Sequence, residues 1–293
     1  PMKIHEEALA FLEDHKDTSF FMFYPSLIPH AELFAPEKYM AKYRGKYLPE
    51  KKYEGTDEGE RFRIGPYGSQ EESHAAFVAM IDLLDEQVGS LMEKIAALGL
   101  SENTLIVFTS DNGPHFEGGA DPDFFDSNGP LKGYKRDLYE GGIRVPMIAA
   151  WPGQIAAGSS SDHVSAFWDM LPTFAELAGA TAPQSIDGIS IVNTLLGKSE
   201  QNTHDYLYWE FHEKGGRLAL RQNNWKLVQY NVNKTPQGEF ELYDLSKDIG
   251  EESNVADEYP EQVATMKALM QQARTDSEVF QFAARSYDAE TKQ

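Results

Sequence analysis

The apolar residues Phe77, Met80, Ile81, Leu84, Val88, Leu91, Met92, Ile95 and Leu98 recur at spacings of three and four. That spacing lays them along one stripe of a helix over residues 73–98, with Gly99 where a left-handed C-terminal cap belongs. The apolar run at 104–109 follows at once and stops in Asp111-Asn112-Gly113, as a short strand buried on both faces does. Upstream, the run FFMFY at 20–24, ended by Pro25, reads as a strand of the same kind. Strand, helix and strand in this order make a right-handed crossover in a parallel sheet. The expected fold class is therefore α/β, a mostly parallel central sheet flanked by helices.

Further along, VPMIAAWPG reads as a strand stopped by Pro152-Gly153, and a helix follows with Asp169 as N-cap, Pro172 in the first turn and Gly179 past the end. Beyond about residue 200 the texture changes. DYLYWEFH, GRLALRQNNWKLVQYN and EFELYDLS alternate and are rich in aromatics, so they predict a small C-terminal antiparallel sheet. A helix at 259–274 carries Val263, Met266, Leu269 and Met270 on the face that covers it. Two domains are expected, residues 1–200 and residues 201–293. The start, PMKIHEEALAFLEDHKDTS, reads as an amphipathic helix, and the charged, Gly-rich residues 39–70 as a surface excursion.

With 41% hydrophobic residues the chain can bury a large core, and its formal charge of −21, from 47 acidic against 26 basic residues, argues against a nucleic-acid partner. No stretch reaches the ~20 apolar residues of a membrane helix. Cysteine is absent, which excludes disulfides, thiolate metal sites and a cysteine nucleophile.

Three segments offer chemistry. Asp111 and Asn112 stand at the carboxyl end of a strand, where open parallel sheets bind ligands. Their oxygens are hard donors suited to Ca²⁺ or Mg²⁺, although Asp-Asn-Gly is equally a common turn signature. His30, in PHAE after the first apolar run, stands where an imidazole could protonate a leaving oxygen. GPLKGYKRDLYEGGIRVP sets Lys132, Lys135, Arg136 and Arg144 among glycines. Exposed backbone beside a Lys ammonium suits a tetrahedral anion, while a solvated loop with a Glu140–Arg144 ion pair is the plainer alternative.

Taken in order, the His loop, the long helix, LIVFTSDNG, YEGGIRVPMIAAWPG, FWDMLPTFAELAG, WEFHEKGGRLALRQNNWKLV and ELYDLSKDIGEESNVA resemble the sulfatase family of the alkaline-phosphatase superfamily from about residue 20 to 256. The resemblance implies an alkaline-phosphatase-like fold and hydrolysis of sulfate esters by a formylglycine nucleophile, with one Ca²⁺ at the site. By match, Asp111 and Asn112 are half of the Ca²⁺ site and His30 assists the leaving group. Lys135, four residues before Tyr139, is the active-site lysine, and Lys132 takes no catalytic role. His115 and His212 are carried as substrate contacts, the latter in a loop equally readable as a hairpin turn. A sulfated glycan is the expected substrate, and export to the periplasm or outside the cell the expected location.

The formylglycine motif C/S-x-P-x-R does not occur in the sequence, and TAPQS has only its proline. The paired aspartates that complete the family's Ca²⁺ site are missing too. Nucleophile and aspartates are accordingly expected on an N-terminal portion of a longer protein. The chain alone is then expected neither to turn over a sulfate ester nor to hold Ca²⁺ tightly. Two alternatives stand beside this reading: a phosphodiesterase or phosphatase of the same superfamily, whose two metals usually take several His ligands, and a non-catalytic relative that binds sulfated glycans.

Overall fold

The computed structural model describes residues 1–62 and 67–282. Residues 63–66 of the expected excursion, and 283–293 of the expected second domain, lie outside the described residues. The chain forms two compact units. One holds residues 1–107, 115–127 and 149–157, and the other residues 108–114, 128–148 and 158 onward.

In the first unit the spine is the expected long helix. Helix α1 spans Met2–Asp14, α2 spans Glu37–Tyr43 and α3 spans Ser73–Ala97. Gly99 takes φ +72° just past α3, as the cap reading requires. One end of α3 packs Ala76, Ala79 and Met80 against Tyr39 and Met40 of α2, and the other packs Leu91 and Ile95 against Ala8 and Leu12 of α1. The expectation of a surface excursion at 39–70 is corrected here, because Tyr39 and Met40 are buried. Charged neighbours hid the short α2, whose lysines stand outside the buried Tyr39 ring with Lys38 Nζ 4.4 Å from its centroid. The same stretch caps α3 from a distance. Both oxygens of Glu50 accept N–H groups of its first turn, from His74 at 2.9 Å and Ala75 at 3.2 Å, donors that have no partner inside the helix.

Residues 20–24 are not a strand, which corrects a second expectation. Phe20, Met22 and Tyr24 pack on the α1–α3 cluster, whereas Phe21 and Phe23 are 68% and 70% exposed. The side chains alternate as in an extended chain, but one face is largely exposed and no ladder pairs the segment among the described residues. Strands β1 (Ile106–Thr109) and β2 (Met147–Ala150) form a two-stranded sheet, which is all of the central sheet that the described residues supply.

The second unit is built on an antiparallel meander of β3 (Leu207–Phe211), β4 (Arg217–Gln222), β5 (Trp225–Tyr230) and β6 (Glu241–Asp244) in that order. Its alternation works as expected. Leu220, Leu227 and Leu242 face Met266 and Met270 of the terminal helix Pro260–Ala273, while Ala219, Val228 and Tyr243 face the opposite way, onto Leu138, Tyr139 and Ile143. The segment around Lys135 is therefore bedded on one face of this sheet. The helices ahead of the sheet are short: α4 (Glu140–Ile143), α5 (Met170–Leu177) and α6 (Val192–Leu195), which makes the terminal helix α7.

Asp169 precedes α5 as expected, but its side chain does not cap that helix. The buried carboxylate instead accepts from the N–H of Ala166 (2.7 Å) and of Ile189 (2.9 Å), and from His204 Nε2 at 2.9 and 3.0 Å. No helix among the described residues is long and apolar enough to cross a membrane.

Candidate functional site

Strand β1 ends at Thr109, and Asp111 and Asn112 follow in a tight loop. The Ser110 hydroxyl donates to the Asn112 carbonyl at 2.9 Å, and Asn112 Nδ2 donates to the Gly113 carbonyl at 2.9 Å. The side-chain nitrogen of Asn112 is thus engaged, and its side-chain oxygen is the atom of the amide suited to a hard cation. Asp111 is exposed at the tip. The turn and the metal reading of Asp-Asn-Gly are compatible, since the turn is what presents the two oxygens.

Two backbone bonds tie this loop to the lysine segment. Gly113 N–H donates to Gly142 O at 3.0 Å, and Lys135 N–H donates to Pro114 O at 2.7 Å. Within the lysine segment Gly141 N–H closes back on Lys132 O at 2.7 Å. The approach is too close for side chains, because a Cβ on Gly142 would stand 2.2 Å from Asp137 O. Asp111, Asn112 and Lys135 therefore belong to one knitted pair of loops in the second unit.

Lys132 is a strut between its loop and the sheet. Its ammonium donates to Glu251 O (2.9 Å) and Tyr243 Oη (3.3 Å), and lies 4.1 Å from the centre of the Tyr139 ring. The expected Glu140–Arg144 pair exists at 3.7 Å, but Lys226 stands nearer to Glu140, at 2.8 Å. Neither Lys226 nor Glu251 is marked in the sequence, because a lone Lys in a strand and a Glu in an acidic turn both read as solvated.

His30 and His115 lie in the first unit, with rings stacked at 5.0 Å. Tyr67 meets His30 edge-on at 5.9 Å. His30 Nδ1 donates to the Ala31 carbonyl at 2.9 Å. His115 Nδ1 lies 3.1 Å from the Glu117 N–H and 3.0 Å from its carboxylate. A ring without a proton on Nδ1 accepts from the former, and a ring with one donates to the latter. His212 follows β3, with Nε2 2.9 Å from Glu210, its ring stacked on Phe282 at 4.1 Å, and its carbonyl accepting from Asn233 at 3.3 Å.

The model of the family described as Sulfatase matches residues 2–180. The chain is a member of the sulfatase family. A second family model, described as N-sulphoglucosamine sulphohydrolase, C-terminal, matches residues 133–277 of this sulfatase chain. Human arylsulfatase A is 33% identical over 245 residues, covering 74% of this chain and 45% of the relative. Steryl-sulfatase of Rattus norvegicus is 31% identical over 245 residues, covering 80% of this chain and 37% of the relative. A crystal structure of Ps i-CgsB in complex with k-i-k-neocarrahexaose superimposes with a TM-score of 0.73 at 27% identity, over 92% of this chain and 54% of that one. The architecture is thus that of the sulfatases, and the chain spans less than half the length of these two curated relatives.

The donor set suits the hard cation that the family implies, in kind though not in number. Asp111 and Asn112 offer two oxygens where Ca²⁺ takes about six to eight, and no group of three or more acidic or His side chains able to hold a metal occurs among the described residues.

Proposed function

We propose that this chain supplies the histidine, the lysine and half of the Ca²⁺ ligands of a sulfuric ester hydrolase acting on a sulfated carbohydrate, with the nucleophile contributed from outside the chain. The observation that carries the reading is the joining of the two loops by the Gly113–Gly142 and Lys135–Pro114 bonds, which holds the hard oxygens of Asp111 and Asn112 in one framework with the Lys135 backbone. The oligosaccharide complex of the superimposed Ps i-CgsB structure supports a carbohydrate substrate, and export follows as a further proposal from the family.

Each side chain has a step that its chemistry allows. The Lys135 ammonium steadies the negative charge that builds on the sulfuryl oxygens, in a setting where a fixed cation acts without reorganising solvent. His30, protonated at Nε2, gives that proton to the departing alcohol oxygen. Asp111 and Asn112 would hold the Ca²⁺, which when bound neutralises sulfate oxygens. His115, stacked on His30, keeps the donor ring in place and forms one wall for the substrate. His212 is a second sugar contact, at the end of β3.

The test is titration of the 293-residue chain with a sulfated carrageenan oligosaccharide and with its desulfated counterpart. Binding should require the sulfate and weaken about tenfold in Lys135→Ala, as loss of one charge-assisted contact does. Equal affinity for both sugars would refute the reading. Release of sulfate from an aryl sulfate by the pure chain would show that the nucleophile lies within it.

A further inference from the structure

The sheet face turned toward residues 132–143 is charged rather than apolar. Alternation along the strands puts Arg217 and Arg221 of β4, Lys226 and Tyr230 of β5, and Glu241 and Tyr243 of β6 on that face, flanking the small apolar patch of Ala219 and Val228. Each reaches the loop: Arg217 pairs with Asp137 at 2.6 Å, Tyr230 Oη donates to Asp137 at 3.1 Å, and Tyr139 Oη donates to Glu241 at 2.6 Å.

At the centre lies a fully buried ammonium. Lys226 Nζ donates to Glu140 Oε1 at 2.8 Å and stands 3.6 Å from Glu251 Oε1, while Glu251 Oε2 accepts the backbone N–H of Glu140 at 2.6 Å. Arg221 approaches Glu140 at 3.3 Å and Arg144 at 3.7 Å. Three ionisable groups taken out of water are an expensive way to hold a loop on a sheet, because apolar side chains of like size would do so at least as well. What ions add is direction. The bonds fix Glu140 at one place, and the next two residues are Gly141 and Gly142, whose backbones meet Lys132 and Gly113. A slip of one residue would break both sets of bonds together.

We propose that Lys226 is a positioning residue: clasped by Glu140 and Glu251, its ammonium locks residues 132–142 in the register that sets the Lys135 backbone against the Asp111–Pro114 loop. The importance of that register rests on the functional reading above, but the test does not. The charge state of the clasp is set by groups from every side: Lys226 of β5, Glu140 of α4, and Lys132, which donates to the Glu251 carbonyl, with Arg221 and Arg144 on the far oxygen of Glu140 and Tyr139, Tyr243 and Glu241 beside Lys132. Burial pushes the Glu251 carboxyl up to about 7, against the pull of Lys226.

The experiment is amide hydrogen exchange and ¹⁵N NMR on the 293-residue chain as wild type, Lys226→Met, Lys226→Arg and Glu251→Gln. In Lys226→Met the amides of Gly113, Lys135 and Gly141 should exchange about a hundredfold faster, as expected when a buried charge loses its partner, while the β4–β5 ladder keeps its protection. Lys226→Arg should restore most of it. In the wild type the Gly141 amide shift should step between pH 6 and 8 around the Glu251 value of about 7, and Glu251→Gln should abolish the step. The proposal is overturned if Lys226→Met leaves the three amides unchanged or loosens them only in step with the β4–β5 ladder, and equally if the Gly141 step survives in Glu251→Gln. Should Lys226→Met not fold, Lys226→Gln, which keeps a polar head toward Glu140, is read for the same three amides against the same ladder. Selective loosening in a chain that binds no sulfated sugar would strike the functional reading and leave this one standing.

Discussion

Gly113 donates its backbone N–H to the Gly142 carbonyl at 3.0 Å, and a Cβ built on Gly113 would stand 1.9 Å from the Gly141 carbonyl oxygen. The obstacle is backbone, so no side chain can swing aside. Gly113→Ala is therefore expected to cost about 3 kcal/mol or more, the range of strained overpacking, read as a fall in the urea midpoint. A midpoint within error of wild type would mean that the two loops are not held this close.

The Glu251 carboxyl, raised by burial from 4.5 to about 7, favours its protonated form in the folded chain. Its contribution to stability is complete below pH 4.5 and is lost as pH rises through 7. On the order of 2–3 kcal/mol should disappear between pH 5 and pH 8, and Glu251→Gln should flatten that slope. Glu140 acts with the opposite sign. Burial opposes its ionisation, but Lys226, then Arg221 and Arg144, hold its carboxyl below 4.5, so its contribution is lost only as pH falls through that lower range. Urea midpoints of wild type and Glu251→Gln from pH 3 to 9 check both arms.

His204→Ala should uncover the carboxylate of Asp169, which is 0% exposed. The backbone donors of Ala166 and Ile189 remain, so a cost of about 2–3 kcal/mol is expected, below the full range for an orphaned buried charge. Adding Asp169→Asn to that variant should recover part of the loss in thermal unfolding. Two additive losses would mean that the pair is not coupled.

Asp111 is exposed at its loop tip, so Asp111→Asn should leave stability within about 0.5 kcal/mol of wild type. With two oxygens from Asp111 and Asn112, the chain should bind Ca²⁺ at best with a millimolar-range Kd, on the order of the weakest natural sites. Calorimetry showing micromolar affinity would point to further ligands within the chain.

What could be read from the sequence followed the range of the forces involved. The helical spacing of α3 and the alternation of Leu227 with Val228 are local, and both elements form, although Ile81 and Met92 of the expected stripe are 40% and 46% exposed while Ala76, Ala79 and Leu83 are buried. Helix α2 escaped because its lysines outvote the two residues, Tyr39 and Met40, that matter. The clasp of Lys226 on Glu140 spans 86 residues, and that of His204 on Asp169 spans 35. Nothing in the letters joins such partners, and a lone charge reads as solvated until the fold buries it. The segments bearing Asp111, Lys135 and His30 stand out by residue type and position, and the family pattern only assigns their roles. The bonding of the Asp111 and Lys135 segments through Gly113, Gly142 and Pro114 is a property of backbone, which residue types do not encode.

The solvent-exposed rings of Phe21 and Phe23, with Leu27 and Phe34 at 59% and 72% exposure nearby in sequence, have a practical consequence for anyone handling the chain. Like-charge repulsion from a net −21 keeps copies apart at neutral pH, and that repulsion reaches only about 8 Å at physiological ionic strength. Molar salt, or buffer near the pI of 4.7, removes it while leaving the phenyl rings exposed to solvent. Dilute, mildly alkaline, low-salt solution is where purified material should stay clear.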